Sequence, residues 1–193
     1  MERLLKQSGL PQGKDVGSPE ETKLPAKVRR MWPSLLDGGF VERAENVIAI
    51  GLPGRGKSHF LATLGRELIL RHHHAVLFVP TFKLVQQLLT ARRDLRLEQR
   101  LRELDQFDIV ILDDVGYVKQ ERDEMEVLFT FLAERYERRS VMISSNLVFS
   151  KWDQIFKDPM TTMAAIDRLV HHAIRSLLDI SRHIFIAATL SQR

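Results

Sequence analysis

The sequence predicts an α/β fold of three αβα layers, with helices on both faces of a central parallel sheet. Three observations carry that expectation. Short, nearly uninterrupted apolar runs recur along the chain: NVIAIG (46–51), AVLFV (75–79), FDIVILDD (107–114) and SVMISSN (140–146). Runs of this kind suit strands that are covered on both faces. Stretches with helical apolar spacing alternate with them, which is the signature of βαβ units.

The elements follow in order. Residues 7–25, QSGLPQGKDVGSPEETKLP, are rich in Gly, Pro and polar side chains and read as a linker or loose arm. Residues 26–36 suit a short helix interrupted at Pro33. The ordered domain is expected to start near Phe40. A first strand ends at Gly51, and a helix is expected over 57–71. After the second apolar run, Leu84, Val85, Leu88 and Leu89 share one helical face. A charged helical stretch covers about 94–106, ahead of the third strand. Met125, Leu128, Phe129, Leu132 and Tyr136 then repeat at helical spacing before the fourth strand.

Bulk composition narrows the class. The chain of 193 residues is long enough for one domain with a real core. No apolar run reaches the roughly 18 residues that a membrane helix needs, and the N-terminus lacks a secretory apolar segment. Cysteine is absent, which excludes disulfides and thiolate metal sites and fits a reducing, cytoplasmic setting. The formal charge of +4 permits nucleic-acid binding without demanding it.

Gly51-Leu52-Pro53-Gly54-Arg55-Gly56-Lys57-Ser58 fits the phosphate-loop pattern G-x-x-x-x-G-K-[ST]. Glycines let successive backbone N–H groups turn inward toward phosphate oxygens. A helix opening at Lys57 adds the positive end of its dipole. Lys57 would reach the terminal phosphates, and Ser58 would offer its hydroxyl to Mg²⁺. The next residue, His59, completes the stretch expected to line the nucleotide. The match follows an apolar strand and opens a helix, as the physics requires.

Ile109-Val110-Ile111-Leu112-Asp113-Asp114 reads as a buried strand ending in two acids. The carboxyl ends of parallel strands are where such sheets bind ligands. Asp113 is expected to hold Mg²⁺, through water, and Asp114 to polarise an attacking water. Two rival nucleotide chemistries are weaker. Asp113 to Gly116 also fits D-x-x-G, but no Asn-Lys-x-Asp stretch occurs to read guanine, so ATP is favoured. A simple kinase would lack the extra strand candidate between the loop and the acids. Asn146, at the end of the fourth strand, is placed to orient the water. Arg168, in AAIDRLVHH, is either an exposed helix arginine or a cation supplied to a neighbouring copy's site.

Four segments together carry a resemblance: FVERAENVIAIGLPGRGKSHF, FDIVILDDVGY, MISSNLVFSKW and IDRLVHHA. They resemble the IstB-type helper ATPases of insertion sequences, relatives of the DnaC and DnaA proteins within the AAA+ group. The resemblance implies an AAA+ core that lacks a full helical lid. It implies ATP with Mg²⁺, homo-oligomer assembly on DNA, and cooperation with a cognate transposase. It maps the two acids of the third strand onto Asp113 and Asp114, the sensor onto Asn146, and the trans-acting arginine onto Arg168. On this basis residues 1–39 form an N-terminal arm with a partial helical region, 40–173 the ATP-binding core, and 174–193 an atypical C-terminal segment.

Two departures bear on activity. Few residues precede the core, and IRSLLDISRHIFIAATLSQR stands where relatives continue with a strand and a Ser-Tyr-Arg ending. A truncated or frameshifted copy would account for both. The alternatives to a working ATPase are therefore a nucleotide-gated DNA-binding module with negligible turnover, or a remnant with a damaged fifth strand. Arg92, Arg93, Arg96, Arg100 and Arg102 suit either phosphate-backbone contact or a solvated helix with Glu98 and Glu103. His72–His74 and His171–His172 read as surface or turn histidines rather than a metal site.

Overall fold

The computed structural model describes residues 1–11, 26–116, 121–147, 151–152, 160, 163–165 and 185–188. Its elements are α1 (Glu2–Gln7), α2 (Ala26–Leu36), α3 (Gly39–Glu42), β1 (Val47–Ile50), α4 (Lys57–His72), β2 (Val76–Pro80), α5 (Thr81–Arg93), α6 (Leu97–Leu104), β3 (Ile109–Val115), α7 (Arg122–Arg135), β4 (Ser140–Ser145) and β5 (Phe185–Ala188). The sheet order is β2-β3-β4-β1-β5. The first four strands run parallel, as expected from the βαβ rhythm. β5 joins the edge beside β1 in the antiparallel sense, with Val47 opposite Ala188 and Ile50 opposite Phe185. An apolar run marks a strand but not its direction, so this departure from an all-parallel sheet was not readable in the sequence.

The continuous apolar runs are explained by two cores. Ile48, Ile50, Val110, Leu112, Val141 and Ile143 face one core, closed by side chains of α5, α6 and α7. Val47, Ala49, Ile109, Ile111 and Met142 face the other, closed by α2 and α4. Successive strand residues point to opposite faces. With both faces covered, every position must be apolar, and the three layers follow.

Two expectations for the N-terminal region change. Residues 7–11 do not begin as a loose arm: Ser8 is fully buried, and its carbonyl accepts from the N–H of Phe78 at 2.6 Å. Leu4, Leu5 and Leu10 pack against the α4 side of the sheet. In α2 the helix runs through Pro33 rather than breaking there. An interior proline costs about 3 kcal/mol. Val28, Trp32 and Leu35 are buried against that same core, and each contributes roughly 1.5–3 kcal/mol. Packing therefore outweighs the proline.

Among the described residues no helix is long and apolar enough to cross a membrane.

Candidate active site

The site forms at the carboxyl ends of β1, β3 and β4. After β1 the chain turns through Gly51, whose N–H donates to Ser145 O at 3.2 Å and ties the loop to the neighbouring strand. Gly54 and Gly56 have φ of +73° and +79°. A Cβ at either position would meet nothing within 4 Å. Glycine is required there for backbone conformation, not close packing. Leu52, Pro53, Arg55 and His59 are exposed, while Ser58 is half-buried in the first turn of α4.

Lys57 is buried at that helix start, 6% exposed. Its Nζ donates to Leu52 O at 2.9 Å and to Asn146 Oδ1 at 2.6 Å. Asn146 in turn donates through Nδ2 to Asp114 Oδ1 at 2.9 Å. Residues from the loop, from β3 and from the end of β4 thus form one continuous hydrogen-bonded chain. Burial lowers the Lys57 pKa, and the nearby charges of Asp114 and Asp113 partly oppose this. Asp114 moves the other way. Burial first, and the charge of Asp113 second, raise its pKa, against Lys57 and the Asn146 hydrogen bond.

The two acids depend on an irregularity. The β3–β4 register shifts between Leu112 and Val115, and Asp114 has φ +64°. Asp is among the residues that tolerate this left-handed conformation. Ser144 Oγ donates to Asp113 Oδ1 at 2.6 Å and itself accepts the Asp114 N–H at 2.8 Å. From the other side Thr81 Oγ1 donates to Asp113 O at 2.8 Å. Ser144 and Thr81 were missed in the sequence. The only signal was a polar residue in each of two strand-end positions, which is ordinary turn chemistry until the neighbouring strand is known.

Of the predicted site, Lys57, Asp113, Asp114 and Asn146 therefore come together, with Ser58 beside Lys57. Arg168 lies outside the described residues, as do His171 and His172. In the basic cluster, Arg92 pairs with Glu126 at 3.1 Å, Arg100 with Glu103 at 2.8 Å and Arg102 with Glu98 at 3.8 Å. Those three fit the solvated-helix reading. His72 Nε2 lies 2.7 Å from Leu36 O, and His74 is 3.6 Å from Asp108, so both serve local contacts.

The donor set suits a nucleoside triphosphate with Mg²⁺: a glycine loop, a lysine at a helix N-terminus, a hydroxyl and two carboxylates. Comparisons with known proteins bear on the nucleotide. The family model "IstB-like ATP binding protein" matches residues 1–181. An insertion sequence ATP-binding protein of Sinorhizobium fredii is 40% identical over 95% of this chain and 65% of its own length. The insertion sequence IS21 ATP-binding protein of Pseudomonas aeruginosa is 38% identical over 90% of this chain and 65% of its own. The chain thus spans about 65% of the length of these relatives. Domain III of the Thermotoga maritima replication initiation protein DnaA superposes with a TM-score of 0.64 at 17% identity, over 80% of this chain and 65% of that one. That likeness shows the fold, an α/β domain of the same type as DnaA domain III.

Proposed function

We propose, from the premise that the chain belongs to the IstB-like ATP-binding protein family, that it binds and hydrolyses ATP as a helper of DNA transposition. The observation that carries the hydrolytic reading is the chain Lys57–Asn146–Asp114. A site for phosphate alone would need the loop and the lysine. It would not need a second carboxylate of raised pKa, held by an asparagine that also holds the lysine.

Each residue's part follows from its contacts. Lys57 exchanges Leu52 O and Asn146 Oδ1 for phosphate oxygens, which satisfy a buried ammonium better than neutral acceptors do. The backbone N–H groups of the loop and the N-terminus of α4 bind the remaining phosphate charge. Ser58 and Asp113 are the residues that would hold Mg²⁺, which supplies charge neutralisation between the phosphates. Asp114, with no part in holding the cation, accepts a hydrogen bond from the attacking water, and Asn146 orients that water once Lys57 has turned from it to the phosphates. Arg168 from a neighbouring copy completes the site. Assembly on DNA and cooperation with a transposase follow from the insertion-sequence relatives and are part of the same proposal.

The test is phosphate release at several protein concentrations, with and without duplex DNA. Turnover should rise with protein concentration and with DNA, because the completed site needs a second copy. Concentration-independent turnover would remove the trans-acting arginine. Nucleotide binding with no turnover under any of these conditions would reduce the protein to a nucleotide-gated assembly module.

A further inference from the structure

We infer that Ser144 is a positioning residue that aims both acids of the hydrolytic site. This inference rests on the ATPase reading above and deepens it. Asp113 and Asp114 are adjacent in sequence, and adjacent residues of a regular strand point to opposite faces. Both are needed on one face. The register shift between Leu112 and Val115, with φ +64° at Asp114, breaks the alternation. A bulge of this sort re-aims a side chain, but it leaves local backbone groups without their ladder partners.

Ser144 supplies those partners. It is fully buried in β4, between the apolar Ile143 and the strand's last residue Ser145. Its single hydroxyl proton goes to Asp113 Oδ1 at 2.6 Å, and its oxygen accepts the Asp114 N–H at 2.8 Å. A hydroxyl offers one donor and two acceptor sites, so one side chain holds the carboxylate of one acid and the backbone of the next. Two residues on, Asn146 holds the Asp114 carboxylate at 2.9 Å. Asn146 lies just past the last residue of β4, so both acids are held from the carboxyl end of that strand. One oxygen of Asp113 is thereby committed to the protein, and its Oδ2 is left for the cation side. A methyl group at position 144 would fill nearly the same volume and do neither job.

The experiment compares wild type with Ser144→Ala, Ser144→Thr and Ser144→Val. Thr and Val have nearly the same shape and differ in the hydroxyl, so this pair still decides if the Ala variant fails to fold. Three readouts are taken: affinity for a fluorescent ATP analogue in EDTA, the Mg²⁺ concentration that half-saturates its Mg²⁺-dependent binding, and steady-state phosphate release. The loop and Lys57 are untouched, so affinity in EDTA should stay within about 3-fold, far less than the effects that outer-sphere partners have on metal sites. Loss of the hydroxyl should lower kcat and raise the half-saturating Mg²⁺ concentration, together spanning roughly 10–100-fold. Ser144→Thr should recover most of both.

A Ser144→Val variant matching Ser144→Thr in kcat and Mg²⁺ dependence overturns the inference. If wild type binds Mg²⁺-nucleotide but never hydrolyses it, the ATPase reading fails, while the Mg²⁺ titration of the Thr and Val pair still decides the role of Ser144. A wild type with no Mg²⁺ response in nucleotide binding overturns both.

Discussion

Replacing Arg135 by methionine removes a guanidinium that ties the far end of the site-bearing strands together. Arg135 closes α7 and is 2% exposed. Its Nη1 donates to Leu104 O at 3.1 Å. Its Nη2 donates to Phe107 O at 3.0 Å, Asp108 O at 3.2 Å and Ser140 O at 3.0 Å. These carbonyls belong to the end of α6, the approach to β3 and the first residue of β4. Burial pushes the guanidinium pKa down to about 10, with Asp105 at 4.0 Å working against that shift.

Nη2 has two protons for three carbonyls, so the four contacts amount to about three full hydrogen bonds, about 4.5–9 kcal/mol gross at roughly 1.5–3 each. Burying the cation costs several kcal/mol, which the substitution returns. The guanidinium carbon also lies 5.8 Å from the Phe131 ring centroid, a contact methionine loses, though its thioether occupies much of the same space and limits the cavity cost. The net loss is about 3–5 kcal/mol, in line with breaking other buried charge networks. For a chain of this size each kcal/mol lowers Tm by about 2–4 °C, so Tm should fall roughly 6–20 °C by calorimetry or circular dichroism. Arg135→Lys is the control for geometry. It keeps the charge, but one ammonium cannot span four carbonyls, so it should also be destabilised. A methionine variant within about 2 °C of wild type, or full stability in the lysine variant, would falsify this reasoning.

Three further predictions concern the site and the layer beneath it. Lys57→Ala should weaken ATP binding by about 30-fold or more, the effect of truncating one partner of a buried hydrogen-bonded charge pair; isothermal titration with Mg-ATP reads it, and unchanged affinity removes Lys57 from the phosphate role. Asp114→Asn should bind ATP but lose about 10²–10⁴-fold in kcat, the range for a positioned acid–base group. Because the pKa of Asp114 is raised, the wild-type acid limb of kcat/KM, which reports the free enzyme, should lie above the ordinary value of 3.8 and be absent from any residual rate of the variant. The sign for stability is opposite to that of a salt-bridged acid. The folded state holds the Asp114 proton more tightly than the unfolded chain does, so ionisation subtracts stability as pH rises through that window. At neutral pH the asparagine variant should therefore melt no lower than wild type. Gly65→Ala should destabilise by about 1–3 kcal/mol through overpacking, since a Cβ there would lie 2.8 Å from Ile111 Cδ1 and 3.2 Å from Val76 Cγ1; a urea midpoint equal to wild type would show that α4 can shift outward.

Much of the architecture was legible locally. Apolar runs at 46–51, 75–79, 107–114 and 140–146 marked β1 to β4, and the helices between them began and ended within a few residues of the expected places. The glycine loop at 51–58 was legible too, because glycines at fixed spacing allow its left-handed turns on their own. The departures came where distant packing outweighed local preference. Pro33 reads as a break until Val28, Trp32 and Leu35 are seen buried against the α4 face. Ser8 and Leu10 read as linker until the Phe78 backbone is seen to donate to Ser8.

By itself the sequence determined which residue types were available for phosphate and metal chemistry, and which end of the sheet would carry them. Only the tertiary structure decided how they meet. Adjacent acids share a face because β3 slips in register against β4, and pairing between strands sets that register. Ser144 and Thr81 matter because they lie across from Asp113, some 30 residues away in either direction. The orientation of β5 was likewise decided by its pairing with β1. Periodicity records which face of an element is buried; it holds no record of the partner on the other side, and in this protein the partner determines where each carboxylate points.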